Sequence, residues 1–221
     1  MLVSCDPEVY RIVWVSLQVS LISTAIATAF ALPVGMLIAL NAFRGRRVVI
    51  IVMNTLMSMP TVLIGLVVFA FISRSGVLGP LGLELLYTKT GMIIGLVLLV
   101  GPLMTALIVP AVESLDPRIL PTAYTLGASK IKALWTLLSE GRYAIITAIA
   151  SGFGRAIAEV GIAMMLGGNI REQTRTITTA IALETGKGEF ALGVALGLVL
   201  LFFAFGINLA LALMRRRHTR A

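Results

Sequence analysis

The sequence predicts an all-α polytopic membrane protein. Its 221 residues are 58% hydrophobic and only 13% charged, and the mean hydropathy is +1.01. Several uncharged runs exceed the roughly 20 residues that a helix needs to cross about 30 Å of hydrocarbon. These runs are continuously apolar, whereas the strands of a membrane β-barrel alternate apolar and polar residues. The pattern predicts about five transmembrane helices in one domain, residues 1–221.

The predicted spans alternate with polar segments that carry almost all of the charged side chains. A helix is predicted to start at Asp6 or Pro7, to lie partly in the membrane interface, and then to enter the bilayer. Pro33, in the first span, predicts a kink that neighbouring helices can accommodate. The predicted spans are about 19–40, 48–73, 91–112, 143–168 and 190–214.

The second predicted span has a proline at bilayer depth, Pro60, followed by the hydroxyl group of Thr61. Proline lacks a backbone N–H and therefore interrupts the hydrogen-bond ladder of a helix. Nearby hydroxyl groups can satisfy the freed backbone groups or face a wet cavity. The pattern is compatible with a structural kink and with residues that line a pore.

The fourth predicted span carries two charged residues, Arg155 and Glu159. Because they are four residues apart, they share one face of a helix and can neutralise each other. A charge at the centre of a bilayer costs roughly 2.5–3.5 kcal/mol on insertion scales, so it needs a partner or water. The two form either a structural ion pair or part of a translocation route or subunit interface. Gly152, Gly154 and Gly161 would let another helix approach closely.

One polar-rich segment, residues 121–142, is compatible with a short helix and lies between two membrane-length runs. Small residues around Gly127 precede a basic face that contains Lys130 and Lys132. A short helix with a notch of small residues suits a groove in another protein, whereas an amphipathic helix can also lie among lipid headgroups. Apolar residues recur at loose helical spacing beside the basic face, at Leu126, Ile131, Leu134, Leu137 and Leu138.

The distribution of basic residues predicts the orientation of the chain. If the N-terminus lies outside, the inner segments hold eleven Lys and Arg against three acidic residues, and the outer segments hold six against six. Inner segments of membrane proteins carry an excess of Lys and Arg. We therefore expect the N-terminus outside, and residues 116–142 and the C-terminus in the cytoplasm. This topology accounts for the net charge of +8 without a nucleic-acid-binding module.

The sequence lacks the motifs of a protein that drives its own chemistry. It has no phosphate-binding G-x-x-x-x-G-K-[ST] motif, no Ser/His/Asp set and no His/Cys metal-ligand spacing, and the single Cys5 excludes an internal disulfide. Uphill transport would therefore draw on a partner or an ion gradient. An ion-coupled carrier is expected to show more intramembrane acids than Glu159. Five spans are also few for a carrier, which predicts a dimer that encloses the route.

Residues 122–142 resemble the cytoplasmic loop signature of ATP-binding-cassette importer permeases, E-A-A-x-x-x-G followed by nine residues and I-x-L-P. Ala123, Leu126 and Gly127 match this signature, and Leu137 takes the Ile position. The chain departs from it in two places, because Pro-Thr replaces the first Glu-Ala and Ser-Glu replaces the final Leu-Pro. The resemblance implies a coupling helix that binds a cytoplasmic ATPase.

Further matches resemble the molybdate, tungstate and sulfate-like oxyanion branch of these permeases. Residues 6–10 are similar to its D-P-x-[VL]-[WY] opening, and residues 60–65 to its P-x-T-V-x-G element. Residues 154–161 are similar to its R-[AG]-[IL]-[AGS]-E-[FV]-G element, and residues 165–176 to its G-N-I and T-x-T stretch. The matches occur in order along essentially the whole chain, and they most resemble the tungstate-type permeases.

This resemblance implies a homodimeric permease of the type I importer kind in the inner membrane, with no cofactor, metal or catalytic residue of its own. Its partners would be two cytoplasmic ATPase subunits, which bind ATP, and an extracytoplasmic solute-binding protein that selects the oxyanion. The residues implied to couple to the ATPase are Ala123, Thr125, Leu126, Gly127, Ala128 and Ser129. Those expected along the route through the membrane are Pro60, Thr61, Arg155, Glu159, Gly161 and Asn169.

Three alternatives stay open at this point: a permease for sulfate or another solute, an ion-coupled carrier, and a membrane scaffold without transport activity. Binding of a cytoplasmic ATPase would separate the permeases from the carrier and the scaffold. The ligand of the solute-binding protein would separate tungstate or molybdate from sulfate.

Overall fold

A computed structural model describes residues 7–218, so that residues 1–6, with Cys5 and the predicted helix start at Asp6, and residues 219–221 lie outside the described part. Every regular element in the described part is helical, which confirms the predicted all-α class. One 3₁₀ turn, Gly79–Leu81, lies between the third and fourth helices. The ten helices are α1 (Pro7–Leu40), α2 (Arg46–Met57), α3 (Thr61–Ile72), α4 (Lys89–Glu113), α5 (Ile119–Thr125), α6 (Lys130–Glu140), α7 (Arg142–Ile157), α8 (Gly161–Gly167), α9 (Ile177–Gly186) and α10 (Phe190–His218).

Three helices are individually long and apolar enough to cross a membrane, namely α1, α4 and α10. Two bent pairs of helices are further candidate spans: α2 and α3 meet at 98°, and α7 and α8 meet at 58°. With each pair counted as one span, the described part of the chain has the five spans that the sequence predicts. The second and fourth spans differ from straight helices because each is interrupted within the apolar run.

Helices α1 and α4 form the centre of the bundle and run in the same direction. Near one end, Lys89 Nζ donates a hydrogen bond of 2.9 Å to Gln18 Oε1. At the other end, Arg46 binds the carboxylate of Glu113 and donates to the carbonyl of Ile38 at 2.7 Å. Since Gln18 is level with the start of α4, residues 7–17 extend α1 beyond α4 by about 16 Å.

The core of the bundle lies along α4, where Met92, Leu96, Val100, Met104 and Ile108 are buried. Two glycines of the core allow neighbouring helices to approach it. A Cβ atom on Gly35 of α1 would lie 2.7 Å from Ile108 Cγ2, and one on Gly95 of α4 would lie 2.6 Å from Ile162 Cγ2. A larger residue at either position would push α1 or α8 away from α4.

Helix α9 lies in a stretch for which the sequence predicts a polar connection rather than a helix. Its N-cap is Thr176, whose hydroxyl accepts a hydrogen bond from the backbone N–H of Thr179, while the Thr179 hydroxyl accepts one from the N–H of Thr176. This reciprocal capping starts the helix. Ile177 and Ala180 then pack with Ile12 of α1 and Leu196 of α10 in a second apolar cluster.

Candidate functional site

The breaks in the two bent spans pack against each other. A Cβ atom at position 161 would lie 3.2 Å from Thr61 Oγ1 and 3.3 Å from Glu159 Oε1. The start of α3 and the start of α8 therefore touch, with Gly161 at the contact. We call this contact the paired break. It brings together four residues from distant parts of the sequence, namely Pro60, Thr61, Glu159 and Gly161.

Pro60 causes the break between α2 and α3 in two ways. Its ring removes the N–H that would continue the hydrogen-bond ladder of α2. Its backbone adopts φ −57° and ψ 127°, which is extended at ψ and turns the chain away from the axis of α2. The Pro60 carbonyl then accepts from the N–H of Leu63 at 3.0 Å, so the same residue caps α3. The carbonyl of Leu56, to which an N–H at position 60 would have donated, accepts instead from the N–H of Met59 at 3.2 Å.

Arg155 and Glu159 form an ion pair, but they do not share one continuous helix as the sequence predicts. Helix α7 ends at Ile157, so Glu159 lies in the break between α7 and α8. Arg155 Nη1 still lies 2.8 Å from Glu159 Oε2. The carboxylate is 3% exposed, whereas the arginine side chain is 39% exposed. The pair therefore has a buried acidic partner and a basic partner that reaches the surface of the chain.

Glu159 also holds the local backbone together. Its Oε1 atom accepts a hydrogen bond of 3.2 Å from the N–H of Ile162 in the first turn of α8. Its carbonyl oxygen accepts one of 2.7 Å from the Thr178 hydroxyl in the first turn of α9. On the same helix α9, the N–H of Ile177 donates to Ser16 Oγ of α1 at 2.7 Å. Glu159 thus links the end of α7 to α8 and α9.

Thr178 and Ser16 are site residues that sequence reasoning did not single out. The available signal was the run of threonines at 174, 176, 178 and 179, in which the spacing of Thr176 and Thr179 fits a helix start. Their partners could not be identified from the sequence, because these hydrogen bonds join residues 19 and 161 positions apart.

Asn169 lies apart from the paired break. It follows the C-terminal end of α8, one helix length, about 10 Å, from Gly161. Its backbone has φ +51°, and its Oδ1 atom is buried with no hydrogen-bond partner in the described structure. Of the six residues expected along the route, the structure gathers five at or beside the paired break and leaves Asn169 in the turn that follows.

The segment 116–142 contains two helices joined by a turn, where the sequence predicts one short helix. Helix α5 ends at Thr125, and Gly127, two residues further on, has φ +81°, a conformation that glycine adopts without strain. The N–H of Ala128 donates to the carbonyl of Ala123 at 3.0 Å, and that of Gly127 donates to Tyr124 at 3.0 Å. These bonds form a Schellman C-cap. Ser129 then caps α6 by accepting from the N–H of Lys132 at 3.5 Å.

The turn between α5 and α6 presents apolar side chains to the outside. Leu126 is 82% exposed, and Ile131 and Trp135 are also exposed. In contrast, Ala123 and Leu137 are buried and hold the two helices on the bundle. Of the apolar stripe predicted from Leu126 to Leu138, Leu134, Leu137 and Leu138 pack on the bundle, whereas Leu126 and Ile131 are exposed. An exposed apolar patch of this kind is typical of a protein–protein contact.

In this all-helical bundle, the breaks in two apolar segments contact each other, and each segment is long enough to cross a membrane. This arrangement is typical of a membrane transport protein. The family model described as binding-protein-dependent transport system inner membrane component matches residues 31–220. The chain belongs to this family and is a multi-pass inner-membrane permease subunit.

Two curated relatives and one solved structure extend this comparison. The tungstate uptake system permease protein TupB of Peptoclostridium acidaminophilum is 42% identical over 209 residues, which cover 94% of this chain and 90% of the relative. The protein of the same name from Campylobacter jejuni is 43% identical over 166 residues, 75% of this chain and 69% of the relative. An inward-facing structure of the MetNI methionine ABC transporter matches with a TM-score of 0.73 at 17% identity, covering 95% of both chains, and supports the fold alone.

Proposed function

We infer that this chain is the permease subunit of an ATP-driven, binding-protein-dependent importer of tungstate or the chemically similar molybdate. The observation that carries this proposal is the 42% identity to a tungstate uptake permease over 94% of the chain. The order of the oxyanion-type motifs, from the opening of α1 to the threonine run before α9, supports the same substrate class.

The importer would contain two copies of this chain, two cytoplasmic ATPase subunits that bind ATP, and an extracytoplasmic solute-binding protein. The permease would contribute no catalytic residue and no metal or cofactor site. Two surfaces support a dimer in a membrane: every residue of α2 is at least partly exposed in the single chain, and only 11% of the apolar window of α10 is buried. Such surfaces need lipid or a second copy to cover them.

The orientation proposed for the chain places α5 and α6 in the cytoplasm. The ion pair between Arg46 and Glu113 brings the basic loop 44–47 to the end of α4, and α5 follows α4 after a short connection. One end of the bundle therefore contains the three arginines of the loop 44–47, the end of α4 and the segment 116–142. This arrangement supports the charge argument for a cytoplasmic location of that end.

Coupling would occur through the turn between α5 and α6, which would sit in a groove of the ATPase. Gly141 alone separates α6 from α7, and its N–H donates to the carbonyl of Leu137 at 3.0 Å. A rigid displacement of the turn would thus reach α7 and the paired break directly. The coupling residues would be Ala123, Thr125, Leu126, Gly127, Ala128 and Ser129.

The oxyanion would pass the paired break, where Arg155 is the basic group. Only one of its five N–H groups is engaged by Glu159 in the described contacts, and the exposed remainder could face a dianion. Thr61 would add a hydroxyl donor. Pro60, Glu159 and Gly161 would shape the break, and Asn169 would lie further along the route.

Uptake into proteoliposomes tests this function. The chain is reconstituted with its ATPase, and the solute-binding protein and labelled oxyanion are added on the side opposite the ATPase. We expect ATP-dependent accumulation of tungstate or molybdate, with sulfate as a weak competitor. Sulfate uptake that excludes both metal oxyanions would contradict the substrate class, and uptake without any ATPase would contradict the transport class.

A further inference from the structure

Two adjoining cavities lie between helix α2 and the central pair of helices, α1 and α4. The shallower one has a volume of about 250 Å³ and lies at the end of the bundle where Arg46 binds Glu113. The deeper one has a volume of about 510 Å³ and lies inside the bend between α2 and α3. Because Met53 of α2 lines both cavities, they form one continuous groove along α2, which we call the α2 groove.

The walls of the α2 groove are almost entirely apolar. Every described residue that lines the deeper cavity is apolar, Phe30, Val67 and Val97 among them. Of the described residues in the shallower cavity, Asn54 and Glu113 are the polar ones. From Glu113 to Val97 the groove follows α4 for about 24 Å. This length exceeds half of the roughly 30 Å hydrocarbon core of a bilayer, so the groove can hold an extended acyl chain of one leaflet.

Two arginines without a partner lie beside the mouth of the groove. Arg46 is held there by Glu113 and by the carbonyl of Ile38, two residues that line the shallower cavity. Its neighbours Arg44 and Arg47 are exposed, and neither has a hydrogen bond or ion pair within the part of the chain that the structure describes. Two uncompensated positive charges therefore lie next to an apolar groove.

We propose that the α2 groove binds one anionic phospholipid of the cytoplasmic leaflet, with the lipid phosphate at Arg44 and Arg47 and one acyl chain in the groove. Guanidinium groups form charge-assisted hydrogen bonds with phosphate oxygens. Basic segments at the cytoplasmic surface attract anionic lipids. The proposal rests on the proposed orientation, which places the loop 44–47 in the cytoplasm, and it does not depend on which solute is transported.

A lipid fits the α2 groove better than a helix of a second copy or a free oxyanion. A helix with its side chains is about 10–12 Å across, so a length of 24 Å would occupy roughly three times the combined volume of the two cavities. A free oxyanion would leave the apolar walls without contacts. An amphiphile with a negative headgroup matches both the arginines and the walls.

The bound acyl chain would act on the paired break. Leu56 and Met59, before Pro60, and Ile64, after it, all line the deeper cavity. A chain between them would keep α2 from closing onto α1 and α4. The lipid would therefore support the 98° bend that positions Pro60 and Thr61 at the paired break.

Native mass spectrometry of the complete transporter, permease and ATPase together, tests the headgroup site. We expect phosphatidylglycerol to bind the wild type at least about tenfold more tightly than phosphatidylcholine. The double variant Arg44→Gln/Arg47→Gln should lower the affinity for phosphatidylglycerol at least about tenfold. Lys130→Gln/Lys132→Gln is the matched control, since it removes the same charge from α6 at the same end of the bundle, and it should bind phosphatidylglycerol like the wild type.

A second variant pair tests the acyl-chain site. Met53→Trp would fill the groove where the two cavities meet, and it should lower the affinity for phosphatidylglycerol about tenfold. Val52→Trp, on an exposed face of the same helix, should not. The masses of all four variants should still correspond to the complete transporter, which shows that each has assembled.

Three results would overturn the lipid proposal. The first is an equal affinity for phosphatidylglycerol in the wild type, the double arginine variant and Met53→Trp. The second is displacement of the lipid by inorganic phosphate or tungstate, which would assign the arginines to a free anion. The third is a disulfide between two copies that carry Met53→Cys in a Cys5→Ser background, which would place the second copy in the groove. Since lipid binding is measured without uptake, a failure here leaves the proposed transport function intact.

Discussion

Gly127 is the residue on which the shape of the exposed turn depends. At φ +81° a residue with a Cβ atom is strained, although the space around this position is open. We predict that Gly127→Ala weakens binding of the ATPase subunit by about tenfold, since a left-handed conformation costs roughly 1–2 kcal/mol in residues other than glycine. Titration of the ATPase onto the solubilised chain measures the change. Gly197→Ala, also in open space but within helix α10, should bind normally.

Arg155 and Glu159 allow a structural role to be separated from a role in transport. Arg155→Leu leaves the buried carboxylate of Glu159 without its partner, so we predict lower thermal stability together with loss of uptake. The double variant Arg155→Leu/Glu159→Gln removes the unpaired charge and should regain much of the stability but no uptake. Thermal unfolding and proteoliposome uptake measure the two effects. Uptake restored in the double variant would show that the ion pair serves the fold alone.

At the scale of the helices, the paired break depends on the absence of a side chain at Gly161. Thr61 Oγ1 and Glu159 Oε1 are both close enough to clash with a larger residue. We predict that Gly161→Val separates α3 from α8 and lowers the uptake rate at least about tenfold, because packed interiors adjust poorly to added volume. Gly154→Val, in α7 where a Cβ atom would meet open space, should lower the rate much less.

The helices also show how far a single sequence predicts this fold and site. Apolar run length predicts the three long helices α1, α4 and α10, because the bilayer sets the length of a crossing helix. Pro60 predicts a break but not its angle of 98°, since the angle also depends on tertiary contacts such as that of α3 with α8. Helix α9 is missed because its threonines have low helix propensity, and its stability comes from capping and from contacts with α1 and α10. The pairing of Thr61 with Gly161 is likewise a long-range contact that local patterns do not encode.

At the scale of the whole molecule, the proposals depend on which ends of the bundle face the cytoplasm. Cys5 is the single cysteine, so a Cys5→Ser background allows one cysteine to be introduced at a time. Leu126→Cys, in the turn between α5 and α6, and Val77→Cys, in the connection between α3 and α4, replace exposed side chains at opposite ends of the bundle.

In intact cells, a membrane-impermeant maleimide should label Val77→Cys, whereas Leu126→Cys should react only after the membrane is opened. The expected pattern follows from the excess of arginine and lysine at the α5–α6 end, which the positive-inside rule places in the cytoplasm. Co-expression of the ATPase should then slow the labelling of Leu126→Cys in opened membranes, because the ATPase would cover the turn. Labelling of Leu126→Cys in intact cells would place the turn outside, where no nucleotide-driven subunit could act on it, and the coupling mechanism would have to be abandoned.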